Sequence, residues 1–280
     1  MMEDLKLKAR VLRELSNIVP EILDTEIDFT ITQFKSKKNL VYEVNFLEKP
    51  KNSPKSMVIK HFKTSNAEKE YKVLKKLQSQ DLWLPKIIFF KDPILALEKI
   101  DGDNLTNYIN FSVNEINSLN DLDAYTHDRL IFAIKKLADW IARLHKQNIL
   151  EWKALKEVIV LNKGDTRLRD FVISSLNDEV YGFDFEDSYE GNYLDDLAWI
   201  CCALLDTNPG IFEMTEPKPK IELLNIFLRE YYRFNINFPF NFDYFAEKLI
   251  ENLNEVIERR RLDFGSISKA AILSKIAKDF

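Results

Sequence analysis

Residues 162–173 read Asn162-Lys163-Gly164-Asp165-Thr166-Arg167-Leu168-Arg169-Asp170-Phe171-Val172-Ile173, and residues 181–186 read Tyr181-Gly182-Phe183-Asp184-Phe185-Glu186. In the first stretch, Asp165 and Asp170 lie five residues apart in a polar loop, and a short apolar strand follows. In the second stretch, another short strand delivers Asp184, 19 residues after Asp165. The pattern predicts that two strands carry three carboxylates to one edge.

Three carboxylates grouped in this way suit the transfer of a phosphoryl group from ATP. The reaction needs one carboxylate to orient the attacking hydroxyl, and two oxygen ligands to hold magnesium on the phosphates. We therefore predict that Asp165 is the catalytic carboxylate and that Asp170 and Asp184 are magnesium ligands. Asp165 by itself would also fit a turn or an N-cap, but two further aspartates in register favour the catalytic interpretation.

The segments on both sides of these stretches predict a particular order of elements. Upstream, Val58-Ile59-Lys60 predicts a strand that ends in a lysine, and a helix that carries Glu70 comes next. Residues 84–102 predict two more strands and a hinge, and further downstream Asp195-Asp196 opens an apolar helix. With a hairpin predicted over residues 27–46, the first part of the chain forms a small sheet of five strands with one helix.

With these elements in this order, residues 27–206 resemble the aminoglycoside phosphotransferase and choline kinase branch of the protein-kinase-like superfamily. The resemblance implies an α+β, two-lobed protein-kinase-like fold, in which a small five-stranded antiparallel sheet forms one lobe and a larger, mainly helical lobe follows. It also implies ATP and Mg²⁺ as cofactors, an alcohol group as the phosphate acceptor, and one cleft at the junction of the lobes.

The resemblance assigns further residues to the nucleotide. Lys60 would pair with the α- and β-phosphates, and Glu70 would hold that lysine, with Glu68 as a rival partner on a different helical face. Arg167 would contact the transferring phosphate as part of the catalytic loop. The backbone from Glu98 to Ile100 would bind the adenine edge.

The loop expected to cover the nucleotide, residues 33–39, contains no glycine. Glycine allows backbone amides to approach a phosphate closely. Without it, Ser36, Lys37 and Lys38 would have to make these contacts with their side chains, and we include Lys38 among the nucleotide-binding residues.

Two residues of the catalytic loop depart from the family pattern. Lys163 stands where the family usually has histidine, at a position that generally supports the loop, and Asp170 stands where it has asparagine. Asp170 still offers an oxygen to magnesium but adds a negative charge. From the sequence we therefore expect Asp170→Asn to retain activity and Asp170→Ala to lose it.

Composition and hydropathy indicate a globular chain. Of the 280 residues, 46% are hydrophobic and 30% are charged, and the net charge of −5 weakly disfavours a general nucleic-acid binder. We predict an N-terminal amphipathic helix over residues 1–24, a nucleotide-binding lobe over 25–100, and a lobe over 101–280 that carries the catalytic loop, the metal strand and the acceptor region. No stretch predicts a membrane span. Adjacent cysteines in an apolar helix pattern predict reduced thiols and a cytoplasmic protein.

The acceptor is left open by the sequence. A small-molecule hydroxyl is the leading interpretation, an RNA or protein hydroxyl is the second, and a pseudokinase that only binds nucleotide is the third. Residues 231–245 contain eight aromatic side chains, which could line an acceptor pocket but fit core packing better.

Overall fold

The computed structural model describes residues 11, 13–19, 28–51, 53–113, 116–153, 157–208, 210–211, 214, 217–261 and 272–278. The chain divides into two compact units. The first unit comprises residues 1–80 and 84–100, and the second comprises residues 81–83 and 101–280. Most of the helix predicted over residues 1–24 lies outside the described residues, but residues 13–18 are helical.

The first unit contains a five-stranded antiparallel sheet, as predicted. Its strand order is β1-β2-β3-β5-β4, and each strand is antiparallel to its neighbours. Helix α1 follows β3 in the chain, and no other helix of the described part of this unit lies between strands. The element bounds are β1 (Phe29–Phe34), β2 (Leu40–Phe46), β3 (Ser56–His61), α1 (Ala67–Leu77), β4 (Ile87–Lys91) and β5 (Ile94–Glu98).

Alternation along the central strands gives this sheet two different faces. In β3, Met57 and Ile59 are buried on one face, and Lys60 therefore lies on the other. The sheet face that carries Ile59 belongs to a buried apolar cluster that also contains Leu15, one of the N-terminal helical residues. The same apolar cluster includes Val11, Val19, Tyr42, Val44, Phe46 and Ala96. The lysine at the strand end is thus held on a rigid central strand and faces away from this cluster.

The second unit is mainly helical and contains two small antiparallel sheets, ordered β6-β9-β10 and β7-β8-β11. The described elements are β6 (Gly102–Asn104), α2 (Leu105–Val113), α3 (Ala124–Gln147), β7 (Ile149–Lys153), β8 (Glu157–Asn162), β9 (Phe171–Ser174), β10 (Val180–Gly182), β11 (Tyr189–Asn192), α4 (Tyr193–Asp206), α5 (Lys218–Phe234) and α6 (Phe242–Arg260). The predicted α+β fold is confirmed.

Helix α3 is the core of the second unit. The apolar stripe read from its sequence is fully buried: Leu130, Ile134, Leu137, Ile141 and Leu144. Trp140 on the same helix packs edge-on against Phe171, with ring centroids 5.3 Å apart. It also comes so close to β10 that a Cβ on Gly182 would lie 2.4 Å from its ring. This contact requires glycine in β10, two residues before Asp184.

The sheets and α4 bring the acidic loops into place. Strand β8 leads into residues 163–167, a single 3₁₀ turn (Leu168–Asp170) follows, and β9 begins at once. Strand β10 leads to Asp184, and β11 runs into α4, whose N-cap Asn192 accepts a hydrogen bond from the Leu194 amide at 3.0 Å. Within the described residues, no helix has both the length and the apolar character that crossing a membrane requires.

Candidate active site

The lysine predicted at the end of β3 forms a buried ion pair within the first unit. Lys60 Nζ donates to Glu70 Oε2 at 2.7 Å, and the two side chains are 10% and 1% exposed. Glu68, the rival partner, instead pairs with Lys72 at 2.8 Å on the surface of α1. Charge-assisted bonds of this kind fix a side chain firmly, and loss of either partner leaves a buried charge.

The other nucleotide candidates of the first unit lie in its loops. Lys38 is exposed in the turn between β1 and β2, where the Asn39 amide donates to Ser36 Oγ at 3.2 Å. Glu98 ends β5, and its amide donates to the Lys86 carbonyl at 2.8 Å. Ile100 follows two residues later and is half-buried. The glycine-free turn is thus held by a side chain.

The loop predicted to be catalytic, residues 163–170 of the second unit, has unusual backbone geometry. Gly164 has φ of 69° and Asp165 has φ of 38°, so two consecutive residues are left-handed. A Cβ on Gly164 would lie 2.3 Å from the Asp187 carbonyl oxygen, so only glycine fits there. A non-glycine residue in this region is strained, and such strain persists only where surrounding contacts hold it.

Those contacts come from Asp196 in the first turn of α4. Its fully buried carboxylate accepts hydrogen bonds from the Lys163 amide at 2.7 Å, the Gly164 amide at 3.0 Å and Thr166 Oγ1 at 2.7 Å. His145 Nε2 lies 3.2 Å from the same carboxylate. Burial by itself would raise the pKa of Asp196, but these partners, His145 first, lower that pKa below its ordinary value.

His145 links the loop to the helical core. Its ring is fully buried, and its Nδ1 lies 2.9 Å from the Tyr231 hydroxyl on α5. No role for His145 could be predicted from local sequence, because its partners lie 51 and 86 residues away along the chain. Asp196 thus braces the loop through its hydrogen bonds, and the contact of His145 with Tyr231 extends this bracing to α5.

Asp165 is engaged by Arg167. Arg167 Nε donates to Asp165 Oδ1 at 2.9 Å, and its terminal nitrogen lies 2.6 Å from Oδ2. The guanidinium therefore binds both carboxylate oxygens, the strongest geometry for this type of pair. Both side chains remain about a quarter to a third exposed, at 25% and 30%. The arginine expected to contact a phosphate thus lies against the predicted catalytic carboxylate.

Asp170 is nearly buried at the end of the 3₁₀ turn. Burial raises the pKa of Asp170 to about 6, the charge of Lys163 opposes that rise, and the neighbouring Asp184 adds to it. Its Oδ2 lies 3.4 Å from Lys163 Nζ and accepts from the Arg167 amide at 3.3 Å. Asp170 and Asp184 are thus close enough to repel each other.

Asp184 is a third left-handed residue, with φ of 67°. Its backbone carbonyl accepts from Lys163 Nζ at 3.0 Å. Its carboxylate and that of Glu186 offer ligand atoms within 4.8 Å of each other, and Glu186 is buried. Glu186 stands in the quoted stretch, but its spacing from Asp184 gave no sign that the two groups would meet.

The donor set of this region fits a hard divalent cation. Asp184 and Glu186 supply neighbouring carboxylate oxygens, which are the ligands that Mg²⁺ prefers, and the charge of Asp184 also acts on Asp170. The mutual repulsion of such groups is relieved when a cation binds between them. The residues present therefore suit magnesium.

A cavity of about 210 Å³ lies beside the catalytic loop. Three aromatic side chains, two carboxylates, one amine and one amide line it: Tyr189, Trp199, Tyr244, Asp195, Glu251, Lys248 and Asn252. The hydroxyls of both tyrosines donate to the Asp195 carboxylate, at 2.9 and 2.7 Å. The Tyr189 ring is within 3.3 Å of the place where a Cβ on Gly164 would stand, so the cavity borders the loop.

Half of the eight aromatic side chains in residues 231–245 are buried in the core. Tyr231, Tyr232, Phe238 and Phe245 are all buried. Tyr231 and Tyr193 stack with ring centroids 6.0 Å apart. Tyr244 is different, because it reaches the cavity.

No model of a protein family matches the sequence, and no curated protein matches it either. Solved structures do match the fold. The choline kinase LicA of Streptococcus pneumoniae superposes with a TM-score of 0.56 at 13% identity, over 96% of this chain and 97% of that chain. The gentamicin complex of the aminoglycoside phosphotransferase APH(2″)-IIa gives 0.55 at 13% identity, over 96% of each chain.

A third structural neighbour carries both ligands of a phosphotransfer reaction. The amicoumacin kinase hAmiN, in complex with AMP-PNP, Ca²⁺ and amicoumacin, gives a TM-score of 0.52 at 14% identity, over 98% of this chain and 94% of that chain. The resemblance to the aminoglycoside phosphotransferase and choline kinase branch is therefore confirmed at the level of the fold.

Proposed function

We propose that this chain, which has the fold of aminoglycoside phosphotransferases and choline kinases, is a phosphotransferase that moves the γ-phosphate of ATP to a hydroxyl of a small molecule in a magnesium-dependent reaction. The observation that carries the proposal is the strained catalytic loop. Asp196 holds the Lys163 and Gly164 amides and the Thr166 hydroxyl, and Asp165 keeps a left-handed backbone between them. Strain held by a buried anion is typical of functional loops.

Asp165 is the proposed catalytic carboxylate. It would accept a hydrogen bond from the attacking hydroxyl and thereby fix the direction of attack. Arg167 is bound to both oxygens of this carboxylate. A guanidinium that leaves Asp165 for the transferring phosphate would stabilise charge there and release an oxygen for the hydroxyl.

The remaining roles follow the chemistry of each group. Asp170 and Asp184, with Glu186 beside Asp184, would hold the magnesium ion, which when bound neutralises charge on the phosphates. Lys60, held by Glu70, would bind the α- and β-phosphates. Contacts from Lys38 and from the backbone at Glu98 and Ile100 complete the proposed nucleotide site. We assign nucleotide binding to residues 25–100, and the catalytic loop, metal strand and acceptor region to residues 101–280.

Structural neighbours support a small-molecule acceptor. They are kinases whose descriptions name choline, gentamicin and amicoumacin, and they do not support an RNA or protein acceptor. The cavity beside the catalytic loop, with its aromatic and acidic lining, is the proposed acceptor region. The buried free thiols of Cys201 and Cys202 support the proposal of a cytoplasmic location.

A γ-labelled ATP assay tests this function. The purified protein would be incubated with labelled ATP and Mg²⁺, and with a pool of hydroxylated metabolites, total tRNA or a generic protein. We expect label in the metabolite pool with wild type, and a loss of about 100-fold or more with Asp165→Asn, since the amide no longer accepts the hydroxyl proton. If wild type labels RNA or protein but no metabolite, and Asp165→Asn labels neither, the small-molecule acceptor is rejected.

Measurements of Mg²⁺–ATP binding can distinguish residues that bind the nucleotide from residues that act only in the transfer step. By calorimetry, we expect Asp184→Ala to weaken Mg²⁺–ATP binding more than Asp165→Asn does, because Asp184 is the proposed ligand whereas Asp165 orients the acceptor. The two-oxygen contact of Arg167 with Asp165 favours one alternative, a pseudokinase in which the carboxylate stays occupied. Wild type that binds Mg²⁺–ATP but labels no acceptor would support that alternative.

A further inference from the structure

Lys163 is a fully buried cation in the catalytic loop. An ammonium group without solvent must be matched by anionic or polar partners, because burial of an unpaired charge is very unfavourable. Its Nζ lies 3.4 Å from Asp170 Oδ2 and donates to the Asp184 carbonyl at 3.0 Å. One ammonium thus reaches both of the aspartates that we propose as magnesium ligands.

The rings that follow those two aspartates enclose the same ammonium. Lys163 Nζ lies 5.5 Å from the Phe171 ring centroid and 5.7 Å from that of Phe185. Aromatic faces attract cations at such distances. The Phe183 amide also donates to the Asp170 carbonyl at 3.1 Å, so the two segments are joined through their backbones too. The lysine therefore links residues 170–171 to residues 184–185.

The two departures from the family pattern touch each other. The resemblance implies asparagine at position 170 and histidine at position 163, so Asp170 adds a negative charge and Lys163 adds a positive charge. Their contact at 3.4 Å pairs these charges within the loop. Oδ2 of Asp170 is engaged by Lys163 and by the Arg167 amide, whereas Oδ1 has its ion-pair contact with Arg169 at the longer distance of 3.9 Å. Oδ1 is thus the oxygen better placed for a metal.

We propose that Lys163 is a positioning residue that works with Asp170 as one unit. It holds Asp170 and the Asp184 backbone in place, and it offsets the extra charge that Asp170 brings to the magnesium site. The inference rests on the proposed function. It also changes the expectation for Asp170→Asn, since that variant leaves the buried ammonium of Lys163 without its carboxylate.

Four variants test the pair: Lys163→Met, Lys163→Arg, Asp170→Asn and the double variant Lys163→Met/Asp170→Asn. Methionine is close to lysine in length and fits between aromatic rings. The measured quantities are the Mg²⁺ concentration that half-saturates ATP binding and the thermal midpoint without ligand. We expect Lys163→Met and Asp170→Asn each to raise the half-saturating Mg²⁺ concentration by about 10-fold or more, as loss of a group that orients a ligand does.

The double variant is the decisive one. Both partners are then neutral, so we expect its half-saturating Mg²⁺ concentration to return to within about threefold of wild type, a non-additive result. Lys163→Arg keeps the positive charge, so it should raise the half-saturating Mg²⁺ concentration less than Lys163→Met does. Losses that multiply in the double variant, or a Lys163→Met value equal to wild type, overturn the inference.

Lys220 provides a matched control. It is also fully buried, and its Nζ donates to the Thr207 carbonyl at 3.0 Å at the C-terminal end of α4. Lys220→Met should lower the thermal midpoint yet leave the Mg²⁺ dependence unchanged, and an equal change in Mg²⁺ dependence would show that Lys163 acts only through stability. If wild type fails to bind Mg²⁺–ATP, the proposed function itself is wrong. If wild type binds Mg²⁺–ATP but the effects of the single variants are additive in the double variant, the proposed function stands and only the coupling of Lys163 with Asp170 is rejected.

Discussion

Asp196 shows how one buried carboxylate can organise a loop. It accepts bonds from two amides and a hydroxyl of residues 163–166, and it contacts His145 on α3. Its neighbour Asp195 points to the cavity and accepts bonds from two tyrosine hydroxyls. Successive residues of one helical turn face different directions, so two adjacent aspartates have separate tasks.

Asp196→Ala should therefore be strongly destabilising. The substitution leaves buried amides and a histidine ring without their acceptor, and the expected loss of unfolding free energy is about 3–5 kcal/mol. Asp195→Ala is the control, and its two lost hydroxyl bonds should cost about 1–3 kcal/mol. Urea unfolding of the two variants and wild type makes the comparison. A loss for Asp196→Ala no larger than for Asp195→Ala would contradict the bracing role.

At the scale of elements, the β8–β9 connection depends on a backbone that most residues cannot adopt. Gly164 and Asp165 are both left-handed, and the loop returns into β9 through a single 3₁₀ turn. Because the Gly164 position also faces the Asp187 carbonyl, conformation and space restrict it together. The backbone conformation of this connection is therefore restricted as strongly as that of the two strands it joins.

Gly164→Ala should disturb this connection more than a comparable change nearby. Alanine at φ of 69° and 2.3 Å from a carbonyl oxygen is expected to cost more than about 1 kcal/mol of unfolding free energy. It should also slow phosphate transfer by about 10-fold or more through displacement of Asp165. Gly191→Ala provides a comparison, since its new Cβ would meet mainly the Tyr189 side chain and no backbone carbonyl oxygen. Equal rates for both variants would exclude a positioning role for the loop.

For the whole molecule, ligand binding and stability are linked. The structure has two compact units, each with its own apolar core, and the proposed nucleotide-binding groups occur in both. A ligand that binds only the folded state stabilises it by mass action. Stability therefore reports binding even while the acceptor is unidentified.

Mg²⁺–ATP should raise the thermal midpoint of the wild-type protein. At 100 times the dissociation constant, the expected gain in unfolding free energy is about 2.7 kcal/mol. The gain should vanish in Asp184→Ala and persist in Asp165→Asn, because only the first variant removes a proposed ligand. Thermal scans with ATP alone, Mg²⁺ alone and both together make the test. A midpoint that both ligands together leave unchanged in wild type would count against nucleotide binding.

Much of the fold could be predicted from local sequence patterns. Short apolar segments separated by turn residues predicted the strands of the first unit, and α3 has apolar residues at 3.6-residue spacing that are buried in the fold. The order of strand, helix and acidic loops was enough to recognise the fold. These properties are carried by residues close together in the chain, so the sequence alone determined them.

Only the tertiary structure decided which side chains meet. It paired Lys60 with Glu70 while Glu68 bonds Lys72, placed Arg167 against Asp165, and buried Lys163 beside Asp170. The contacts of His145 with Asp196 and with Tyr231 join three helices. Such contacts depend on burial and on partners distant in sequence, and left-handed aspartates depend on the bonds that hold them. Neither these contacts nor these backbone conformations can be predicted from a short stretch of residues, because both depend on groups that only folding brings together.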